Sequence, residues 1–130
     1  MAPCPRKASA FGKVLDAPLD GYAGQPLLVA EFGGVALDVG GPYGKNPKHL
    51  LPGYLGREPE PKSKEEALSR IQRLTAEIYE RKRYAGFCYT QLYDVEFEKN
   101  GLLTYDRRAK FGSLRVFEPR GVKRSFEEKD

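Results

Sequence analysis

Residues 26–34, with the sequence PLLVAEFGG, decide the fold that we expect for this chain. An unbroken apolar run ends there at Glu31, and Gly33 and Gly34 follow closely. Such a run is typical of a β-strand covered on both faces, as in a parallel sheet, and the glycines allow a sharp turn after it. Ligands of parallel α/β folds bind at the C-terminal ends of the strands, so Glu31 is the first candidate for a catalytic group. The simpler alternative is a strand-end glutamate that is solvated or paired with a nearby arginine.

A long amphipathic helix is predicted from Ser63 to about Tyr84. Ser63 can accept a hydrogen bond from the first turn while Glu66 reciprocates, which is the pattern of a capping box. Apolar residues then recur at three- and four-residue steps along one face, namely Ala67, Leu68, Ile71, Leu74 and Ile78. The basic run at residues 81–83 suits the C-terminal end of the helix dipole, and we interpret it as a solvated helix end rather than a phosphate-binding patch.

A second strand is predicted at residues 87–92, whose sequence is FCYTQL, after Gly86 ends the helix. The order strand, helix, strand indicates a βαβ unit with parallel strands and a right-handed connection. The C-terminal ends of both strands then lie on the edge that carries Glu31. Tyr89 and Gln91 are two residues apart and would point to one side there. The prediction is therefore an α/β fold with parallel strands and one long amphipathic helix.

The remaining segments are predicted to be irregular. Residues 1–24 hold scattered Pro, Gly and Lys and are interpreted as a loose lead-in, while the turn-rich residues 35–61 indicate a long loop that is functional or disordered. The acids that follow the second strand are expected on a solvated loop: Asp94, Glu96 and Glu98. Residues 111–117 are expected to form a short strand or a poorly formed helix, and residues 118–130 a charged, frayed tail. The folded part is thus predicted to span residues 25–117.

The composition indicates one globular domain of ordinary size. The 130 residues are 40% hydrophobic and 12% aromatic, and 22 Lys and Arg residues are largely balanced by 18 Asp and Glu residues, which leaves a net charge of +4. So modest a charge does not require a nucleic-acid partner, and the N-terminus has no apolar segment of the kind found in a secretion signal or a membrane span. We therefore expect a cytoplasmic protein that binds neither nucleic acid nor membrane.

The cysteines and the single histidine do not form a metal-binding pattern. Neither Cys4 nor Cys88 has a close Cys or His neighbour, and His49 is the only histidine. Zinc sites and disulfide frameworks need clustered ligands or paired cysteines, so we predict no metal, no cofactor and reduced thiols.

Three segments, in this order, resemble the C-terminal part of the catalytic barrel in glycoside hydrolase family 2, the family of β-galactosidases and β-glucuronidases. Residues 26–33 look like the seventh barrel strand, which ends in the nucleophilic glutamate followed by an aromatic residue. Residues 86–92 look like the eighth strand, where an aromatic side chain often lines the sugar pocket. Residues 94–107 are similar to the next segment, with its Asn-Gly-Leu core and closing Asp-Arg. The resemblance covers about residues 22–110.

The resemblance implies a partial (β/α)8 TIM barrel, made of its last two or three βα units, and a parent activity of retaining hydrolysis of a β-glycoside or oligosaccharide. Glu31 takes the role of the nucleophile that attacks the anomeric carbon and forms a covalent glycosyl-enzyme. Tyr89 and Gln91 would line the sugar site, the ring against the pyranose and the amide as a hydrogen-bonding group. Asn100 matches a position that touches substrate or, with the carbonyl of the residue matching Phe97, a bound sodium. A cation needs more oxygen ligands than these, so no metal is predicted.

The chain also departs from the family. Retaining hydrolysis needs a second carboxyl group about 5 Å from the nucleophile as acid/base, and the Asn-Glu pair that supplies it in the family does not occur in this sequence. A full barrel takes about 250 residues, and only two of its eight strands are recognisable here. We therefore expect the tail of a larger enzyme, inactive by itself, that requires a missing upstream barrel half or associates with itself.

Two other functions are open alternatives. One is a non-catalytic small α/β module that binds a partner protein or a carbohydrate through the exposed barrel edges. The other is nucleic-acid binding through residues 81–83 and the tail residues Arg120, Lys123 and Arg124, against which the nearly balanced charge argues. A steep salt dependence of binding to duplex DNA would favour the second alternative.

Overall fold

The computed structural model describes residues 9–41, 59–113 and 115–117. Its elements, in chain order, are α1 (Ala10–Leu15), β1 (Leu27–Gly33), α2 (Lys64–Glu80), β2 (Tyr84–Thr90) and a 3-10 helix (Arg115–Phe117). The two strands pair in parallel on either side of α2 in sequence, so the predicted βαβ unit is present and the chain is a small α/β domain. Cys4, His49, the predicted tail and most of the turn-rich stretch lie outside the described residues.

The strand pair is covered on one face. Within β1, Phe32 is 2% exposed and Val29 is also buried, whereas Leu28 is 65% exposed. The pairing is irregular between Val29 and Phe32, which adds a bulge just before the C-terminal end of the strand. The prediction of cover on both faces is therefore wrong for the described residues, because helical packing against this pair is present on only one side.

Helix α2 begins as predicted and ends earlier than predicted. The Ser63 hydroxyl accepts a hydrogen bond from the backbone N–H of Glu66 at 3.1 Å, and the Glu66 carboxylate accepts one from the N–H of Lys62 at 2.8 Å. The predicted apolar stripe is confirmed, with buried Ala67, Ile71, Leu74 and Ile78 and half-buried Leu68. The helix stops at Glu80 because β2 already starts at Tyr84, and Gly86 lies inside that strand rather than ending the helix.

Residues 9–16 differ from the predicted loose lead-in. They form α1 with its cap, and Phe11 and Leu15 are buried in the main apolar cluster with Val29, Phe32, Leu74 and Ile78. The rings of Phe11 and Phe32 stack with centroids 6.1 Å apart. Phe11 and Leu15 are four residues apart, so a single helical turn directs both into the core.

Helix α1 is also tied to the end of α2. Arg81 donates two hydrogen bonds to the Asp16 carboxylate, at 2.6 and 2.8 Å, and a third to the carbonyl of Glu77 at 2.7 Å. The Tyr84 hydroxyl donates to the carbonyl of Leu15 at 2.6 Å. The interpretation of residues 81–83 as a solvated helix end is therefore wrong for Arg81, which joins the two helices.

The segment after β2 folds back on itself without forming a long strand. Short backbone bridges join Tyr93 to Leu103 and Leu103 to Ala109. Gly101 makes this possible because a Cβ atom there would lie 2.3 Å from the backbone nitrogen of Asp94. A second apolar cluster, formed by Ile71, Leu102 and Val116, holds the segment against α2. Within the described residues, no helix is both long and apolar enough to cross a membrane.

Candidate functional site

Glu31 lies at the C-terminal edge of the parallel strand pair. The strands end in register, with Phe32 opposite Tyr89 and Gly33 opposite Thr90. The Glu31 side chain is exposed, and its carboxylate accepts a hydrogen bond of 3.2 Å from the Thr90 hydroxyl on the neighbouring strand. An exposed carboxylate that one hydroxyl orients can act as a nucleophile or as a hydrogen-bond acceptor for a ligand.

Gln91 and Asn100, two of the predicted substrate-binding residues, are hydrogen-bonded to each other. Gln91 Nε2 donates to Asn100 Oδ1 at 2.7 Å and to the Glu98 carboxylate at 3.3 Å. The backbone N–H of Leu102 donates to the Gln91 carbonyl at 3.1 Å. The structure thus brings Asn100 next to Gln91, which is the first residue after β2. The other two polar atoms of these side chains, Gln91 Oε1 and Asn100 Nδ2, take no part in the hydrogen bond between the two amides.

Tyr89 packs its ring against the apolar core. Its centroid is 5.6 Å from that of Phe32 and 5.1 Å from that of Phe117. The ring also lies directly over Gly33, where an added Cβ would be 2.2 Å from Cε2 of the tyrosine. These neighbours cover part of the ring, and the side chain as a whole is half-buried. The substrate-lining role of Tyr89 stays a prediction.

The Tyr89 hydroxyl is buried and has no hydrogen-bond partner among the described residues. Burial raises the pKa of this phenol well above its usual range, and the negative charge of Asp94 acts in the same direction. The backbone amide of Val35 offsets part of this rise without meeting normal hydrogen-bond geometry. The phenol therefore stays protonated at neutral pH and keeps a proton to donate.

A buried ion pair, which the sequence did not indicate, lies just beyond this edge. Asp94 is 1% exposed and Lys110 is 2% exposed, and Lys110 Nζ is 2.6 Å from Asp94 Oδ1. The same ammonium donates to the carbonyls of Leu37 and Lys99, both at 2.8 Å, so all three of its donors are used. The expectation that Asp94 lies on a solvated loop face is wrong, because residues 91–110 fold back onto the chain that follows β1. Glu96 and Glu98, by contrast, are exposed as expected.

Lys99 completes this group, which we call the buried charge cluster: Asp94, Lys99 and Lys110. Lys99 is 2% exposed, and neither its Nζ nor Asp94 Oδ2 has a hydrogen-bond partner in the part of the chain described. Burial lowers the pKa of Lys110, and the Asp94 carboxylate opposes that shift. No local sequence pattern marks any of the three residues, since their contacts depend on the path of the whole segment.

Other chemistry near the edge is limited. Residues 9–41, 59–113 and 115–117 contain no group of three or more His, Cys, Asp or Glu side chains that could hold a metal ion. Cys88 of β2 is free and exposed. The sequence matches no model of a known protein family and no curated protein.

Proposed function

We propose that this chain is the C-terminal segment of the catalytic (β/α)8 barrel of a retaining β-glycosidase, with Glu31 as the nucleophile. The observation that carries the proposal is the place of Glu31: an exposed carboxylate at the C-terminal edge of a parallel βαβ unit, held by the Thr90 hydroxyl. Enzymes with (β/α)8 barrels carry their catalytic groups at this edge. The type of reaction is taken from the resemblance of three ordered segments to glycoside hydrolase family 2.

In this reaction the Glu31 carboxylate attacks the anomeric carbon of a β-glycoside and displaces the aglycone oxygen. Water then attacks the resulting glycosyl ester, and the sugar leaves with its configuration retained. Both steps need a second carboxyl group about 5 Å away, first to protonate the leaving oxygen and then to deprotonate water. The chain has no Asn-Glu pair to supply it. The proposal therefore assigns the acid/base to an upstream barrel half, and the chain alone is inactive.

The uncovered face of the strand pair agrees with this assignment. Leu28 is 65% exposed, and Ala30 and Cys88 are exposed as well. In a complete (β/α)8 barrel, one face of each strand packs into the barrel interior and the other packs against helices. Here only the helix-covered face is buried, so the upstream half, or a second copy of the chain, would cover the other.

A non-catalytic α/β module that binds a partner protein or a carbohydrate is the alternative function. The same exposed face favours it, since exposed apolar residues beside unpaired strand edges mark surfaces that bind other chains. The two functions differ in one respect that can be measured. Only the enzyme requires the charge on Glu31.

The experiment compares hydrolysis of aryl β-glycosides by the chain alone and by the chain co-expressed with an upstream half that bears the Asn-Glu strand. We expect almost no hydrolysis by the chain alone and activity from the reconstituted barrel. Glu31→Gln should abolish that activity, because an amide cannot act as the nucleophile, whereas Glu65→Gln, a matched change on the exposed face of α2, should not. A 2-fluoro glycoside should label Glu31 in the reconstituted enzyme, as seen by peptide mass.

Two results would refute the assignment. Efficient hydrolysis by the 130-residue chain alone would show that the acid/base lies within it. Restored activity that survives Glu31→Gln would show that another residue is the nucleophile.

A further inference from the structure

The buried charge cluster carries one more positive charge than negative charge. It holds two ammonium groups, on Lys99 and Lys110, against the single carboxylate of Asp94, and each residue is at most 2% exposed. Among the described residues, the carboxylate of Asp38 also acts on Lys110, but Asp38 is exposed and accepts the backbone N–H of Gly40 at 2.8 Å. A buried charge without a counter-charge is strongly unfavourable, so proteins pair such groups or bind an ion to them.

The uncompensated group is the ammonium of Lys99. Lys110 uses its three donors on Asp94 and on two backbone carbonyls, and is thereby satisfied. Asp94 Oδ1 is taken up by Lys110 and by the N–H of Gly101 at 2.9 Å. Lys99 Nζ has no partner among the described residues, and the charge of Lys110 lies near enough to repel it. Three strong donors with nothing to accept them indicate a ligand that offers oxygen acceptors and a negative charge.

The buried ammonium of Lys99 lies close to the exposed residue Gly41. A Cβ atom on Gly41 would lie 3.6 Å from Lys99 Nζ, so the ammonium lies just beneath the backbone there. Gly40 and Gly41 are both exposed, and neither carries a side chain that would block the approach. We propose that Lys99, beside Gly41, binds a small oxyanion, either a carboxylate or a phosphate. The site is independent of Glu31 and of glycoside hydrolysis.

Thermal unfolding of the whole chain at pH 7 tests this proposal. The midpoint is measured in sodium phosphate, sodium acetate and sodium chloride at equal ionic strength. A ligand that binds only the folded state raises the midpoint with the logarithm of its concentration above the dissociation constant. We expect phosphate, acetate or both to raise it beyond chloride, and the one that does so identifies the source of the oxyanion. Calorimetric titration should then give one site per chain.

The Lys99→Met variant provides the decisive comparison. It keeps the apolar stem and removes the charge, so the oxyanion should no longer raise the midpoint. In chloride this variant should be more stable than the wild-type chain, because an uncompensated buried charge is gone. If Lys99→Met does not fold, the same comparison is made with Lys99→Gln. Lys82→Met, which removes an exposed charge, is the matched control and should keep the full response.

Two results overturn the proposal. One is an equal response to phosphate, acetate and chloride in the wild-type chain. The other is a response to the oxyanion that persists unchanged in the Lys99 variants.

Discussion

Replacement of Lys110 by methionine is expected to destabilise the chain strongly, because it removes one partner of a buried ion pair. Methionine keeps the apolar stem but takes away the ammonium that is hydrogen-bonded to Asp94, which is 1% exposed, and among the described residues Lys99 Nζ makes no hydrogen bond that could replace it. Removal of one member of a buried pair costs about 3–5 kcal/mol. The carbonyl of Leu37 also loses the hydrogen bond from Lys110, at a cost of about 1–3 kcal/mol. The carbonyl of Lys99 loses the same donor but still accepts a hydrogen bond from the N–H of Leu37 at 2.9 Å. A total of about 4 kcal/mol or more is a large part of the roughly 5–15 kcal/mol by which domains are stable.

Urea unfolding at pH 7, followed by circular dichroism, measures this loss. The double variant Lys110→Met/Asp94→Asn should recover most of it, since both charges are gone while the oxygen of the introduced amide can still accept the N–H of Gly101. Lys82→Met is the control, and should change the free energy of unfolding by no more than about 0.5 kcal/mol. The reasoning would be refuted by a loss below about 1 kcal/mol for Lys110→Met, or by a double variant no more stable than the single one.

Three further predictions concern the core, the strand end and the surface. Ile71→Ala should cost about 2–5 kcal/mol in urea unfolding, because Ile71 is 0% exposed and truncation leaves a cavity; a loss below about 1 kcal/mol would contradict its core position. Gly33→Ala should cost about 1–3 kcal/mol more than Gly24→Ala: both glycines have positive φ, at 106° and 93°, but only at the first does a Cβ meet a ring, at 2.2 Å. Hydrogen bonds from Arg108 and from the Thr104 hydroxyl lower the pKa of Asp106 from 3.8 to about 2. The stabilisation by this carboxylate is therefore present above pH 3.8 and is lost as pH falls towards 2. Arg108→Met should move that pKa back towards 3.8 in an NMR titration, and an unmoved pKa would speak against the ion pair.

The βαβ unit was predictable because its signals are local. The Ser63–Glu66 cap and the apolar stripe of α2 depend on neighbours three or four residues away, and the structure shows both. The position of Glu31 at the C-terminal edge follows from the same local order of strand, helix and strand. The boundaries were less accurate. β2 begins at Tyr84, three residues before the prediction, because sheet pairing with β1 extends it backwards through Gly86.

The contacts that tertiary structure decided join residues far apart in the chain. Arg81 binds Asp16 across 65 positions, which turns an apparent helix-end charge into the link that holds α1. Lys110 meets Asp94 across 16 positions and Leu37 across 73. Periodicity and capping patterns relate only residues a few positions apart. Contacts across such long separations depend on how two segments pack in space.

The sequence by itself therefore determined β1, α2 and β2, their parallel order and the edge that holds Glu31, since the spacing of apolar residues and caps encodes each of them. Only the tertiary structure decided which charges are buried. Asp94 and Lys99 look like ordinary surface residues in the sequence, and both are buried because residues 91–110 fold back onto the chain after β1. Tyr89 likewise packs against the core, because Gly33 leaves room for its ring. Whether a polar side chain meets water or the interior depends on what packs over it, and that is a property of the whole fold.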